Sequence, residues 1–251
     1  MDLHHLLSML SYREKLYQNY NTNQVNQSAP QSYEQKFKDE TEWFSKEILP
    51  LIKDKKEIRI LDIGCGSGSL LHACKLAGHT KLLGIDISSE QVTLAHKLGI
   101  KEVIHAETVE FLNSNPDQYD VIFCMDIIEH FTKDELVILL ELVKNKLKDQ
   151  GRLIIRTPNM DTPFNSLYAF GDFTHENHLN ARSATQLMLS LGFKQIQTLS
   201  SRMATKGIIK EIFRSLIWMI FKFIIKLIIF STGRSSRNVI LSPNLIIVAH
   251  K

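Results

Sequence analysis

The stretch Asp62-Ile63-Gly64-Cys65-Gly66-Ser67-Gly68 has the residue types and spacing to hold a nucleotide-type ligand. An apolar run, Ile58 to Leu61, enters it, and a helical pattern, Leu70 to Ala77, leaves it. Strand, glycine turn and helix in that order let the backbone approach a ligand beyond the carboxyl end of a parallel strand, where a Cβ would clash. The glycines alternate as G-x-G-x-G, whereas a dinucleotide fingerprint needs glycine at 69, where Ser69 stands. Asp62, two positions before the first glycine, suits a ligand carrying an ammonium better than one carrying a pyrophosphate. A tight turn with no ligand is the plainer alternative.

Further carboxylates and histidines follow. Asp86, in Gly84-Ile85-Asp86-Ile87-Ser88, comes 24 positions after Asp62, near the offset of an acidic ribose clamp. A carboxylate can accept from two vicinal hydroxyls at once, and it also favours the N-terminus of a following helix. In Asp126-Ile127-Ile128-Glu129-His130, spacings of three and four put Asp126, Glu129 and His130 on one face of a helical turn. Such a set can hold an imidazole as a general base, bind a divalent ion, or brace a loop. No metal is expected, but Asp126, Glu129 and His130 are the residues placed to hold one. The polar loop Gly171-Asp172-Phe173-Thr174-His175-Glu176-Asn177-His178 offers His175 as the preferred single base, with His178 as a bracing residue.

The elements that must position these groups alternate along the chain. Residues 1–29 are polar, and the pattern predicts a short helix over Leu3–Leu16 and a mobile linker over Asn19–Gln27. Tyr33, Phe37, Trp43, Phe44 and Ile48 recur at helical spacing, so residues 31–49 are expected to form a cap helix ending at Pro50. Strands are expected at Ile58–Ile63, Lys81–Ile87, Glu102–His105, Asp120–Met125, Arg152–Thr157, Phe193–Leu199 and within Val239–His250. Helices are expected at Ser69–Gly78, from Ser88 with Gln91 as a capping-box partner, over Lys133–Lys148 capped by Thr132, and over Ser183–Leu191. Alternation of this kind predicts an α/β fold, an open, mostly parallel sheet with helices on both faces, whose ligands sit beyond the carboxyl ends of the strands. Residues 1–50 read as N-terminal helices and linker, and residues 51–251 as the main domain.

In order, these motifs resemble those of the class I S-adenosylmethionine (SAM) methyltransferases over about residues 55 to 200. Asp62 to Gly68 looks like their first motif, Tyr119 to Asp126 like their fourth, and Gly151 to Ile155 like their strand-five motif. The resemblance implies a Rossmann-like seven-stranded sheet with its last strand antiparallel, and SAM as cofactor. It implies that Asp62, Gly64, Gly66 and Gly68 hold the methionine end and Asp86, beside Ile87, the ribose. Glu107, beside Thr108, stands where the family places an acidic residue against adenine; a helix N-cap is the alternative. Met125 would contact the cofactor, and Asp126 would line the methyl-transfer site, where His175 or His130 removes the acceptor's proton. Glu129-His130 resembles the pair in ubiquinone-type O-methyltransferases. The Asp172, Thr174, His175 string and Pro158-Asn159 resemble glycan- and lipopolysaccharide-cluster methyltransferases. Two other readings stay open: a nicotinamide-dependent oxidoreductase on a similar sheet, and a membrane-recruited protein that binds SAM without turnover.

Composition narrows the partners. A net charge of +3, with no basic cluster interleaved with aromatics before the C-terminal third, argues against nucleic acid. Cys65, Cys74 and Cys124 are not spaced for zinc or a disulfide framework, and the N-terminus lacks a signal-peptide pattern, so the cytosolic side is expected. Leu216–Phe230 is almost wholly apolar but interrupted by Lys222 and Lys226. Lys210, Arg214, Trp218, Lys222 and Lys226 fall on steps of four, predicting an inserted helix over 207–232 with a basic stripe and an apolar face. Peripheral membrane contact through 207–230 is the expectation, with a small-molecule or lipid-linked acceptor. The rivals are a dimer interface, a cover over the acceptor site, or a membrane span, which a return to the same sheet makes awkward.

Overall fold

The computed structural model describes residues 16, 32–52, 57–203, 205 and 207–251. The helix expected over Leu3–Leu16, apart from Leu16 itself, and the linker Asn19–Gln27 lie outside the described residues. The cap helix, α1, runs Tyr33–Glu47, started by Ser32, whose side chain accepts from the Gln35 N–H. Then come β1 (Arg59–Ile63), α2 (Ser69–Leu76), β2 (Lys81–Asp86), α3 (Ser89–Lys97), β3 (Val103–His105), α4 (Thr108–Ser114), β4 (Tyr119–Met125) and α5 (Lys133–Lys146). The chain ends with β5 (Leu147–Pro158), the single turn α6 (Ser166–Ala169), α7 (Ala181–Ser190), β6 (Lys194–Ser200), α8 (Ile208–Ser231) and β7 (Asn244–His250).

The seven strands form one sheet in the order β3-β2-β1-β4-β5-β7-β6. Strands β1 to β5 pair in parallel, and β7 runs antiparallel between β5 and β6. The α/β class, the mostly parallel sheet and the antiparallel last strand are therefore as expected, and helix α8 precedes that strand. Alternation splits the core. Leu61, Ile63, Ile122, Cys124, Leu153, Ile155 and Ile247 pack with α5 and α7 on one face. Ile60, Val121, Phe123, Met125, Ile154 and Val248 pack with α1 and α2 on the other. Strands buried on both sides read as continuous apolar runs, which is why β4 and β5 were visible in the sequence.

Caps set the helix starts. Ser88 Oγ accepts from the Gln91 N–H at 3.3 Å. Reciprocal capping boxes form at Thr132 with Glu135 and at Asn180 with Ser183. Because β2 leaves β1 on one side and β4 lies on the other, the strand order reverses at β1, and the crevice there opens at the strands' carboxyl ends.

Helix α8 stands apart: none of its residues is buried. Its more sheltered line is Glu211, Arg214, Trp218, Phe221, Ile225 and Ile229. Phe221 stacks on Trp218 and, at 6.4 Å between centroids, on Phe164. Arg214 is paired with Glu211 on that inner line, so the basic stripe is presented outward by Lys210, Lys222 and Lys226. Among the described residues, no helix is long and apolar enough to cross a membrane.

Candidate active site at the carboxyl edge of the sheet

The glycine turn begins as β1 ends. Gly64 has φ +67°, and a Cβ there would lie 2.3 Å from Ile127 Cδ1. Gly68, at φ +80°, starts α2, and a Cβ there would lie 3.0 Å from Ile100 Cγ2. Glycine suits the left-handed backbone at both positions. Gly66 is tied to the next strand, its N–H donating to Asp86 Oδ2 at 2.7 Å. Asp86 Oδ1 accepts from the Ser88 N–H at 2.8 Å, so the helix-terminus role is realised. Burial raises the Asp86 carboxyl, against the lowering effect of these two bonds. Each carboxylate oxygen retains a second lone pair for a hydroxyl donor.

Asp62 is 2% exposed, and its Oδ1 accepts no hydrogen bond from the described residues. Burial, then repulsion from Asp86, hold this carboxyl well above the ordinary range, with Arg156 opposing. A buried carboxylate oxygen left unpaired is costly, and an incoming cation relieves it. Asp62 borders a cavity of 170 Å³ whose walls are the glycine turn, Met125, Asp126 and Arg156, closed above by α1 through Tyr33, Lys36, Phe37, Glu40 and Phe44. Helix α1 is held there by Ser69, whose hydroxyl donates to Glu40 Oε2 at 3.0 Å.

Sequence reasoning missed Arg156, Glu40 and the α1 wall. Arg156 Nε donates to Asp126 Oδ1 at 2.8 Å, a second guanidinium nitrogen reaches Oδ2, and the guanidinium lies 4.5 Å over the Trp43 ring. The signal was present: Arg156 interrupts an apolar run just before β5 ends. This pair also corrects the expected Asp126–Glu129–His130 face. Asp126 adopts φ +53°, leaves the helical path and turns to Arg156, while Ile128–His130 forms a tight 3₁₀ turn of its own.

His175 takes the place that Asp126 was expected to fill. Glu129, His130 and His175 bring ligand-type atoms within 4.8 Å of one another, and the two imidazoles meet edge to face at 4.8 Å. The loop carrying His175 is stapled to the turn. The Glu129 carbonyl accepts from the Glu176 N–H at 2.7 Å, and Asn177 Nδ2 donates to the Ile128 and Phe131 carbonyls at 2.6 and 2.8 Å. Glu129, 1% exposed, accepts from Thr157 Oγ1 at 3.0 Å; burial and Asp126 push its carboxyl up. Burial, then His175, push His130 down to about 4, so it is neutral at neutral pH. His178 meets Phe170 edge to face at 4.7 Å, outside the cluster. Glu107 lies at the surface and caps α4, its Oε2 accepting from the Glu110 N–H at 2.7 Å, while Thr108 beside it is buried and Ile87 is exposed.

A seven-stranded sheet in this order, with an acidic glycine turn after β1, defines a nucleoside-cofactor enzyme of the methyl-transferring type. A methyltransferase-domain family model matches residues 34–198, more than half of the chain, and the chain belongs to that family as a class I SAM-dependent methyltransferase. A ubiquinone biosynthesis O-methyltransferase of Aeromonas salmonicida is 32% identical over 106 residues, covering 40% of this chain and 43% of that protein. The chain thus spans less than half the length of that curated relative. An uncharacterized protein of Methanocaldococcus jannaschii is 27% identical over 188 residues, 72% of this chain and 84% of that protein. A SAM-dependent methyltransferase from Archaeoglobus fulgidus superposes with a TM-score of 0.63 at 24% identity, covering 87% of this chain and 98% of that one. Magnesium protoporphyrin IX methyltransferase from Synechocystis, solved with S-adenosylhomocysteine, gives 0.59 at 15% identity over 94% and 97%. The residues present fit SAM: the partnerless buried oxygen of Asp62 suits its ammonium, and the glycine turn leaves room for close backbone approach.

Proposed function

We propose that this enzyme transfers the methyl group of SAM to a hydroxyl on a lipid-linked glycan, saccharide or quinone-like lipid at a membrane surface on the cytosolic side. One observation carries the reading: a histidine pair at the carboxyl edge, beside an exposed apolar surface. Phe164, Leu167, Phe170 and Phe173, on the loop leading to His175, are 65–83% exposed, and Phe164 stacks on α8. An exposed apolar patch of this extent marks a site of interaction with a membrane or partner. A lipid-borne acceptor would reach the histidines without leaving that surface.

In this reading Asp62 and the glycine turn hold the amino-acid end of SAM. Asp86 accepts from the ribose, with Ile87, Glu107 and Thr108 toward the adenine, and Met125 and Asp126 border the reacting centre. The sulfonium already activates the methyl group, so the chain mainly aligns donor and acceptor. A hydroxyl acceptor must also lose a proton, and in this reading His175 or His130 takes it, burial and then His175 holding the His130 imidazole down to about 4. The O-methyltransferase match supports an oxygen acceptor.

The test is incubation with methyl-labelled SAM and a membrane extract, followed by identification of the labelled product. A labelled lipid or lipid-linked saccharide, absent with Asp86→Ala, is the expected result. Label confined to protein or water-soluble amines would overturn the acceptor class, and binding of SAM with no transfer to any fraction would favour a non-catalytic role.

A further inference from the structure

We infer that Glu129, His130 and His175 form a binding site for one divalent transition ion with zinc-like ligand preference, two of them on the turn that follows Met125 and Asp126 of the cavity wall. The argument begins with protons. Thr174 Oγ1 donates its single proton to Asp172 Oδ1 at 2.7 Å, because a carboxylate can only accept. At its 2.7 Å contact with that same hydroxyl, His130 Nδ1 must therefore be the donor. His175 Nδ1 faces the Ala169 carbonyl at 2.8 Å and must donate as well. Both imidazoles are thereby fixed, by this network, in the tautomer whose lone pair sits on Nε2.

Two imidazole lone pairs and one carboxylate are the His₂Glu donor set of open catalytic zinc sites. Each donor also has the outer partner that such sites use: Thr174 and Asp172 behind His130, a carbonyl behind His175, Thr157 behind Glu129. Glu129 is 1% exposed, and no salt bridge joins it among the described residues. Burial and Asp126 push this carboxyl up, and a bound cation would take the place of its proton. Among the described residues, the Arg156 guanidinium acts on Glu129 but is committed to Asp126. A tetrahedral ion with bonds of ~2.1 Å needs donors about 3.4 Å apart, and the present set lies within 4.8 Å. The staples from Glu176 and Asn177 hold the two backbone segments together meanwhile.

Three protein donors leave a coordination position open. Its role deepens the preceding proposal and rests on a hydroxyl acceptor; the site itself does not. The ion would take the hydroxyl oxygen, whose proton passes to solvent water. The oxygen's electron pair forms the new O–CH₃ bond, while the S–CH₃ bond of the sulfonium breaks with its pair remaining on sulfur. His130 and His175 then serve as ligands and not as bases.

The experiment uses the untagged full chain, stripped with EDTA and titrated with Co²⁺, read by visible d–d absorption and by calorimetry, with Zn²⁺ as competitor. The expected result is one Co²⁺ per chain with tetrahedral-type bands that Zn²⁺ abolishes. His175→Ala should lose the bands, and Thr174→Val should weaken affinity roughly 10- to 100-fold. SAM binding, measured by calorimetry on each variant, reports that the fold is intact. Absence of Co²⁺ bands in a wild-type chain that binds SAM overturns the site, as does unchanged Co²⁺ binding in a His175→Ala chain that binds SAM. A wild-type chain that takes Co²⁺ but not SAM would instead overturn the cofactor reading.

Discussion

Asp62 and His130 are both ionisable groups under burial, and the two respond to pH with opposite signs. The carboxyl of Asp62 is raised, so its contribution to ligand-free stability is present below the unfolded value near 3.8 and is lost as pH rises through the folded value. In the proposed arrangement the ammonium of SAM reverses that penalty at the partnerless oxygen. Asp62→Asn should therefore raise the melting temperature of the ligand-free protein while lowering SAM affinity roughly 10- to 100-fold, the range of one charge-assisted hydrogen bond. Calorimetry and thermal unfolding on one sample check both signs; a parallel change in the two would sink the assignment. His130 is lowered to about 4, so its contribution is present above about pH 6.5 and is lost as pH falls toward 4. That loss amounts to about 3 kcal/mol. His130→Gln should flatten the acid limb of the stability profile of EDTA-treated protein by that order, and an unchanged limb would refute the buried neutral imidazole.

Elements determine where those residues meet, and here the sequence was unevenly informative. The strands and most helices were legible because β1, β4 and β5 are buried on both faces, and because Ser88 and Thr132 are local capping signals. The first site strand and its glycine turn were legible for the same local reason. The Asp126–Glu129–His130 face was not. A helical period was assumed across a segment that Arg156, thirty residues away in sequence, pulls into a left-handed kink at Asp126. The α1 wall was hidden too, because the Ser69–Glu40 contact joins two elements whose separate patterns say only that each is a helix. The Arg156–Asp126 pair is thus the strut between β5 and the end of β4. Arg156→Met should destabilise the protein by about 2 kcal/mol in urea unfolding, below the range of fully buried pairs because Asp126 is partly open to solvent. Adding Asp126→Asn should recover part of that loss. A double variant no better than the single one would show that stacking on Trp43, not the ion pair, is what Arg156 supplies.

Over the whole molecule, the sheet and α8 pose different solvation problems. The domain buries its apolar residues on two sheet faces, yet α8 exposes Phe213, Ile217, Ile220, Phe223 and Leu227 by half or more. The helix leaves after β6 and the chain returns as β7, hydrogen-bonded between β5 and β6, so both ends of the insertion belong to one sheet. That topology suits a helix lying along an interface, with Lys222 and Lys226 toward headgroups and the apolar side inward. Two energy terms then act together and separate by salt. Each lysine near an anionic surface contributes about 1 kcal/mol and is screened by salt, whereas apolar insertion is not. In vesicle flotation, the full chain should partition onto anionic vesicles more strongly than onto neutral ones. Raising the salt should reduce, but not abolish, binding. Ile220→Glu with Phe223→Glu should abolish binding at every salt concentration while leaving SAM affinity unchanged, since neither residue borders the cofactor cavity. If the wild-type chain instead sediments as a dimer without lipid and ignores vesicles, α8 pairs with a second copy of itself, and the acceptor need not be lipid-borne.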